Sequence, residues 1–99
     1  MADVLGLIGL GARAGSIVIG TSGVRAGLRR GDFVAVIVAS DMSERTGEKV
    51  CRLAHARAVR VLQGPTAAEI GNRLGRREVQ AVGVKDAGLA EGIADRLSK

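Results

Sequence analysis

The sequence predicts an α/β chain in which a sheet is sandwiched between helical layers, in the order α-β-α-β-α-β-α-β-α. Three observations carry this expectation. Short apolar or alternating runs separate stretches of helical periodicity along the whole chain. One run, residues 33–39 (FVAVIVA), is almost wholly apolar, as a strand covered on both faces must be. Helix start and stop signals recur between the runs, and strands alternating with helices specify helical layers on a sheet. Ninety-nine residues, 46% of them hydrophobic, make one domain, residues 1–99, with ample material for a core.

Each element has its own justification. Residues 3–14 (DVLGLIGLGARA) read as a short helix, with Asp3 as its cap and Leu5, Ile8 and Ala12 at i, i+3 and i+7. Glycines at 6, 9, 11 and 15 weaken it, by roughly 1 kcal/mol each relative to alanine. The β-branched run 16–19 (SIVI) is a strand. Residues 20–30 open with turn-prone residues and continue with Val24 and Leu28 at i, i+4, so they form a helix that Gly31 stops. After the strand at 33–39, Ser40, Asp41 and Ser43 supply caps for a charged helix reaching about Arg57. That helix puts Val50, Leu53 and Ala54 on one side and a Glu48–Arg52 pair on another.

The second half repeats the scheme. Residues 59–62 (VRVL) alternate and form a strand. Pro65 precedes Thr66, Ala67, Ala68 and Glu69, a capping box of the Thr-x-x-Glu form, and the helix it starts ends near Gly75. Residues 79–84 are the fourth strand. Asp86 caps the last helix, where Leu89, Ala90, Ile93, Ala94 and Leu97 make an apolar stripe.

Composition narrows the function. A single cysteine, Cys51, forms no internal disulfide, which points to a reducing, cytoplasmic setting. The longest apolar run, residues 4–12, is nine residues, against the roughly 18 a membrane span needs, so no membrane partner is expected. No basic residue stands near the start, so no signal peptide is expected. The formal charge is +5, and the cations are twelve arginines and three lysines. Arginine's planar five-donor fork suits phosphates and guanine edges, so a nucleic-acid partner is favoured over an acidic small molecule. Modules that read single strands stack bases on aromatic rings, and Phe33 is the only aromatic residue. Any nucleic acid must therefore be held by backbone amides, arginines and shape.

Several constellations could carry chemistry. Residues 9–14 match G-x-G-x-x-A, with Asp32 some twenty residues on, but the strand SIVI follows where a dinucleotide site needs a helix. Glycines for close helix packing are expected there instead. Gly20, Thr21, Ser22 and Gly23 stand at a strand-to-helix junction, where free N–H groups and the positive end of the dipole attract anions. Arg25 and Arg29 follow at i, i+4, with Arg30 and Arg13 nearby in sequence; an ordinary capped helix with solvated arginines is the competing reading. Arg76 and Arg77, in the turn Gly75-Arg76-Arg77-Glu78-Val79, matter only if that turn lies beside residues 20–23. His55 is four residues from Cys51, but two ligands do not make a zinc site and no acid orients a thiol–imidazole pair. Cys51 is expected buried, His55 exposed and Asp41 a cap, with no catalytic residue, metal ligand or cofactor.

The segments LGLIGLGARAGSIVIGTSGV, RRGDFVAVIVASDMSERT and VKDAGLAEGI resemble the kink-turn-binding ribosomal protein family of the L-seven-Ae/L-thirty-e type, and within it the bacterial YlxQ-like branch. The resemblance spans about residues 4–97, and its most specific pieces are ARAG at 12–15, the RRG closing the second helix and ASDxSxxT at 39–46. It implies a three-layer α/β/α sandwich around a four-stranded mixed sheet. It also implies an RNA edge made of Gly20, Thr21, Ser22 and Gly23 with Arg25, Arg29 and Arg30, helped by Arg76, Arg77 and Val79 before the fourth strand. The family pattern Gly-x-Asn-Glu-x-x-Lys has Ser22, Gly23 and Ala26 at its last three defined places here. Losing two or three base contacts at roughly 1–3 kcal/mol each removes most kink-turn discrimination. The resulting expectation is a small RNA-binding protein, not an enzyme, whose partner is structured RNA of ribosomal or other non-coding kind. The alternative is an interaction module on the same fold that has lost RNA recognition and meets a protein partner.

Overall fold

The computed structural model describes residues 3–98; the predicted domain, residues 1–99, runs past that range at both ends. Helices and strands alternate as α1 (Val4–Ala14), β1 (Ile17–Ile19), α2 (Thr21–Arg30), β2 (Ala35–Val38), α3 (Glu44–Ala56), β3 (Arg60–Gln63), α4 (Ala67–Arg73), β4 (Ala81–Val84) and α5 (Ala87–Leu97). The order is the predicted one. The sheet runs β1-β4-β2-β3, with β4 antiparallel to β1 and β2, and β2 parallel to β3, so it is mixed. Ile17 and Ala35 both sit opposite Val84, and Ala35 also faces Arg60. This arrangement gathers the ends of β1, β2 and β3 and the start of β4 at one edge. Helices α2, α3 and α4 all begin there.

Strand alternation sorts side chains into two layers. Ile17, Ala35, Ile37, Val82 and Val84 face Ile8 of α1, Ile70 of α4 and Ile93 of α5. Val36, Val38 and Ala81 face Val24 and Leu28 of α2 and Val50 and Ala54 of α3. The central strands β2 and β4 are buried on both faces, as the apolar run at 33–39 required. That strand is shorter than its apolar run, because the ladder ends at Ala35. Val34 is 44% exposed, and Phe33 turns into the α2–α3 layer at 6% exposure. The Phe33 ring is thus core material and offers no stacking surface.

Four helices are capped by the side chains the sequence nominated. Asp3 Oδ1 accepts from the Gly6 N–H (2.7 Å), Ser43 Oγ from Thr46 (3.3 Å), Thr66 Oγ1 from Glu69 (3.2 Å) and Asp86 Oδ2 from Leu89 (2.7 Å). Asp41 requires a correction. Its Oδ1 accepts from the Ala67 N–H at 2.8 Å, so it serves the start of α4 and not that of α3. Tertiary approach puts it there: the Ser40 N–H donates to the Pro65 carbonyl, strapping the two loops together.

The capping box closes with the Thr66 N–H donating to Glu69 Oε1 at 3.0 Å. Backbone and side-chain hydrogen bonds from Thr66 hold the Glu69 carboxyl below its ordinary value, while burial and the Asp41 carboxylate act the other way. A carboxyl lowered by folding adds stability above the unfolded value near 4.5 and loses it as pH falls through the lowered folded value. Glu69→Gln keeps an acceptor that cannot titrate. Its melting temperature is expected to fall less steeply than the parent's below about pH 4.5. Thermal melts across that range check this; identical slopes would remove Glu69 from the acid response.

Candidate nucleic-acid interface

The start of α2 differs chemically from the other helix starts. Its cap residue is Gly20, which has no side chain to accept from the first turn, and no acidic residue follows in that turn. Gly20 adopts φ 99°, ψ 155°, a conformation open to glycine and strained for other residues. Its own N–H donates to the Ala81 carbonyl at 2.9 Å, pinning the corner to the first residue of β4. The N–H groups of Thr21, Ser22 and Gly23 therefore stand at the positive end of a helix with no side-chain acceptor. Among the five helices of residues 3–98, α2 alone lacks such a cap.

The arginines of α2 divide by face. Val24, Gly27 and Leu28 turn inward, while Ser22, Arg29 and Arg30 are exposed and Arg25 is half-buried. Arg25 and Arg29 open onto a groove of about 390 Å³ between α2 and α3, lined also by Lys49, Arg52, Leu53 and Ala56. The Arg25 Nε–H is buried there with no hydrogen-bond partner. Among the described residues Arg25, Arg29 and Lys49 have no carboxylate within ion-pair distance, whereas Arg52 pairs with Glu48. Arg30 is held by Asp32, Nε to Oδ2 at 2.9 Å, an exposed pair that costs little to open. Arg13 lies in the last turn of α1, at the other end of the sheet.

The turn with Arg76 and Arg77 is fastened to α4. The Arg76 N–H donates to the Gly71 carbonyl (2.7 Å) and the Val79 N–H to the Ala67 carbonyl (3.0 Å), so the turn folds back along α4. Helix α4 packs on the opposite face of the sheet from α2. Arg76 and Arg77 are exposed there, and Arg77 borders a shallow depression with Ala68 and Glu78. Val79 is 2% exposed and belongs to the core, so its side chain is closed to any ligand. The end of this segment meets the α2 corner: Gln80, half-buried, precedes the Ala81 that Gly20 grips. The Gln80 Oε1 is buried without a partner.

The sequence model of the ribosomal protein L7Ae/L30e/S12e/Gadd45 family matches residues 2–93. The chain belongs to that family. A solved structure described as a protein with unknown function from Bacillus halodurans C is 28% identical, with a TM-score of 0.90 and full coverage of both chains. The Giardia lamblia 15.5kD RNA binding protein shares the fold at 16% identity and a TM-score of 0.76, over 96% of this chain and 82% of that one. No curated protein matches the chain in sequence.

Within this L7Ae-type fold the three departing positions have distinct surroundings. Ser22 is exposed on the first turn, and Ala26 is half-buried one turn later. A Cβ at Gly23 would fall 2.7 Å from Val18 Cγ1, so a side chain there must displace the Val18 side chain. Sequence spacing missed Lys49, Arg52 and Gln80. For the first two, nothing local shows that α3 packs beside α2. Gln80, a lone polar residue between Val79 and Ala81 at the start of a strand, was the one signal available. Residues 9–14 lie inside α1, where a Cβ on Gly11 would collide with Leu89 and Ile17, as close packing implies. Cys51 is half-buried, not buried, and His55 is exposed beside it. Among the described residues no three His, Cys, Asp or Glu side chains are gathered to hold a metal ion. None of the described helices is long and apolar enough to cross a membrane.

Proposed function

We propose that this family member binds structured RNA at the corner where α2 begins. The N–H groups of Thr21, Ser22 and Gly23 and the guanidinium groups of Arg25 and Arg29 grip the sugar–phosphate backbone there. The observation that carries the reading is the uncapped, acid-free first turn of α2, followed within the same helix by two arginines without acidic partners. Membership of a ribosomal protein family, and the shared fold of the Giardia lamblia 15.5kD RNA binding protein, support RNA as the polyanion. Arg30 joins once RNA competes with Asp32, and Arg76 and Arg77 serve a footprint that wraps toward α4.

Recognition is mainly by backbone and shape: Ser22 keeps one short donor–acceptor where asparagine would read a guanine edge, Gly23 has no group where glutamate would read one, and Ala26 has none where lysine would meet phosphate. The reading describes a cytoplasmic, non-catalytic protein of the YlxQ-like branch, without a cofactor. Gel shifts test it with two RNA hairpins, one carrying tandem sheared G·A pairs and one fully paired, at two salt concentrations. Both are expected to bind with comparable affinity. Arg25→Ala with Arg29→Ala is expected to weaken both equally and to flatten the salt slope by about one unit per lost contact. No binding at tens of micromolar, together with a protein partner retained from the native host after nuclease digestion, would favour the interaction module instead.

A further inference from the structure

We infer that the groove between α2 and α3 is a second site for RNA backbone phosphates, completed by Lys49 and Arg52 of α3. Two helices of one layer bring Arg25, Arg29, Lys49 and Arg52 to the rim of one groove, over Leu53 and Ala56. Three of these cations, Arg25, Arg29 and Lys49, have no acidic partner among the described residues, and an anion lodged between them relieves their mutual repulsion. Arg25 is half-buried at this rim, and its buried Nε–H has no hydrogen-bond partner, so no carboxylate or carbonyl of the described residues engages that nitrogen. Among the described residues the one acidic partner of these four cations is Glu48, engaged by Arg52.

RNA is favoured over an acidic peptide because the groove continues from the corner described above. At 1.5 Å per residue, Ser22 and Arg29 are about 10 Å apart along α2, the length of roughly three nucleotides of one strand. A backbone anchored on the first turn of α2 reaches Arg25 and then the groove without a change of direction. Base stacking on Phe33 plays no part, since that ring is buried. Contacts in the groove are therefore blind to sequence, and their signature is ionic.

The inference rests on the RNA-binding reading and is separable from it. Lys49→Gln with Arg52→Gln removes two exposed charges without touching the core. With a hairpin RNA carrying a single-stranded uridine tail as probe, this variant is expected to keep binding in low salt. Between about 50 and 200 mM salt, the parent's affinity is expected to fall roughly tenfold more than the variant's, the difference two phosphate contacts make. Glu48→Gln, which frees Arg52, is expected to bind several-fold more tightly. Acetylation footprinting gives a second readout: RNA should protect Lys49 but not Lys85, which follows β4 at the far end of the sheet. Unchanged salt dependence in the α3 variant, or an unprotected Lys49 in an RNA complex that Arg25→Ala with Arg29→Ala disrupts, would overturn the groove and leave the α2 corner standing. Failure of the parent protein to bind the probe would overturn both.

Discussion

Replacing Ser22 with aspartate is expected to raise stability slightly while removing most of the RNA affinity. Ser22 is exposed at the second position of α2, where the helix presents uncompensated N–H groups and no acidic side chain. A carboxylate in that first turn interacts favourably with the helix dipole, typically by about 0.3–1 kcal/mol. The same carboxylate occupies the place a phosphate needs and repels its neighbours along the strand. Losing one or two phosphate contacts in this way lowers affinity roughly tenfold at moderate salt. The two effects have opposite signs, so a thermal melt and a gel shift on one preparation separate loss of the site from loss of the fold. Ser22→Asn, which adds hydrogen-bonding capacity without charge, is the matched control and is expected to bind at least as well as the parent. If the aspartate variant binds RNA normally, the anion does not sit at the start of α2.

What was legible beforehand was whatever short-range spacing determines. Asp3, Ser43, Thr66 and Asp86 each announce a helix start within three residues of the N–H they accept from, and all four do so in the structure. The i, i+4 pairing of Glu48 with Arg52 forms for the same reason. Asp41 is not legible in this way, because its partner, the Ala67 N–H, is 26 residues away and comes into range only through the strapped loops. The strand at 33–39 was overextended because apolar character continues past the hydrogen-bond ladder: Phe33 is hydrophobic on account of the helix above it, not of a strand partner.

The candidate site divides along the same line. Gly20 through Arg29 could be assembled from one helix start and its first two turns. Lys49 and Arg52 could not, since their meaning depends on which face of α3 lies beside α2. The association of Arg76 and Arg77 with the α2 corner depended on layer membership. Hydrogen bonds from Arg76 and Val79 to α4 carry that segment along the opposite layer. Connectivity alone does not reveal which side of a sheet a returning loop takes.

Gly83→Ala is expected to be among the most destabilising single-methyl additions in the chain, at about 2–4 kcal/mol, somewhat beyond the usual cost of overpacking. Phe33 explains why. Its ring lies between α2 and the sheet, and a Cβ built on Gly83 would collide with Cζ, Cε2 and Cε1 of that ring. Gly27 of α2 bounds the same ring from the other side, where a Cβ would collide with Cζ and Cε2. The ring is therefore clamped between two positions that admit no side chain. Neither wall retreats easily. Gly83 sits in β4 opposite Val18 of β1 and Val36 of β2, so both edges of its strand are committed to ladders. Val24 and Leu28 flank Gly27 and are fully buried. For a domain of this size the stability loss corresponds to roughly 10–25 °C in melting temperature. Phe33→Leu alone leaves a cavity and also destabilises. In that background, however, Gly83→Ala has room for its methyl and is expected to cost at least about 1 kcal/mol less than in the parent, within the usual range of coupling between touching residues. Strictly additive effects in this double-mutant cycle would show that the ring is not what excludes a side chain at position 83.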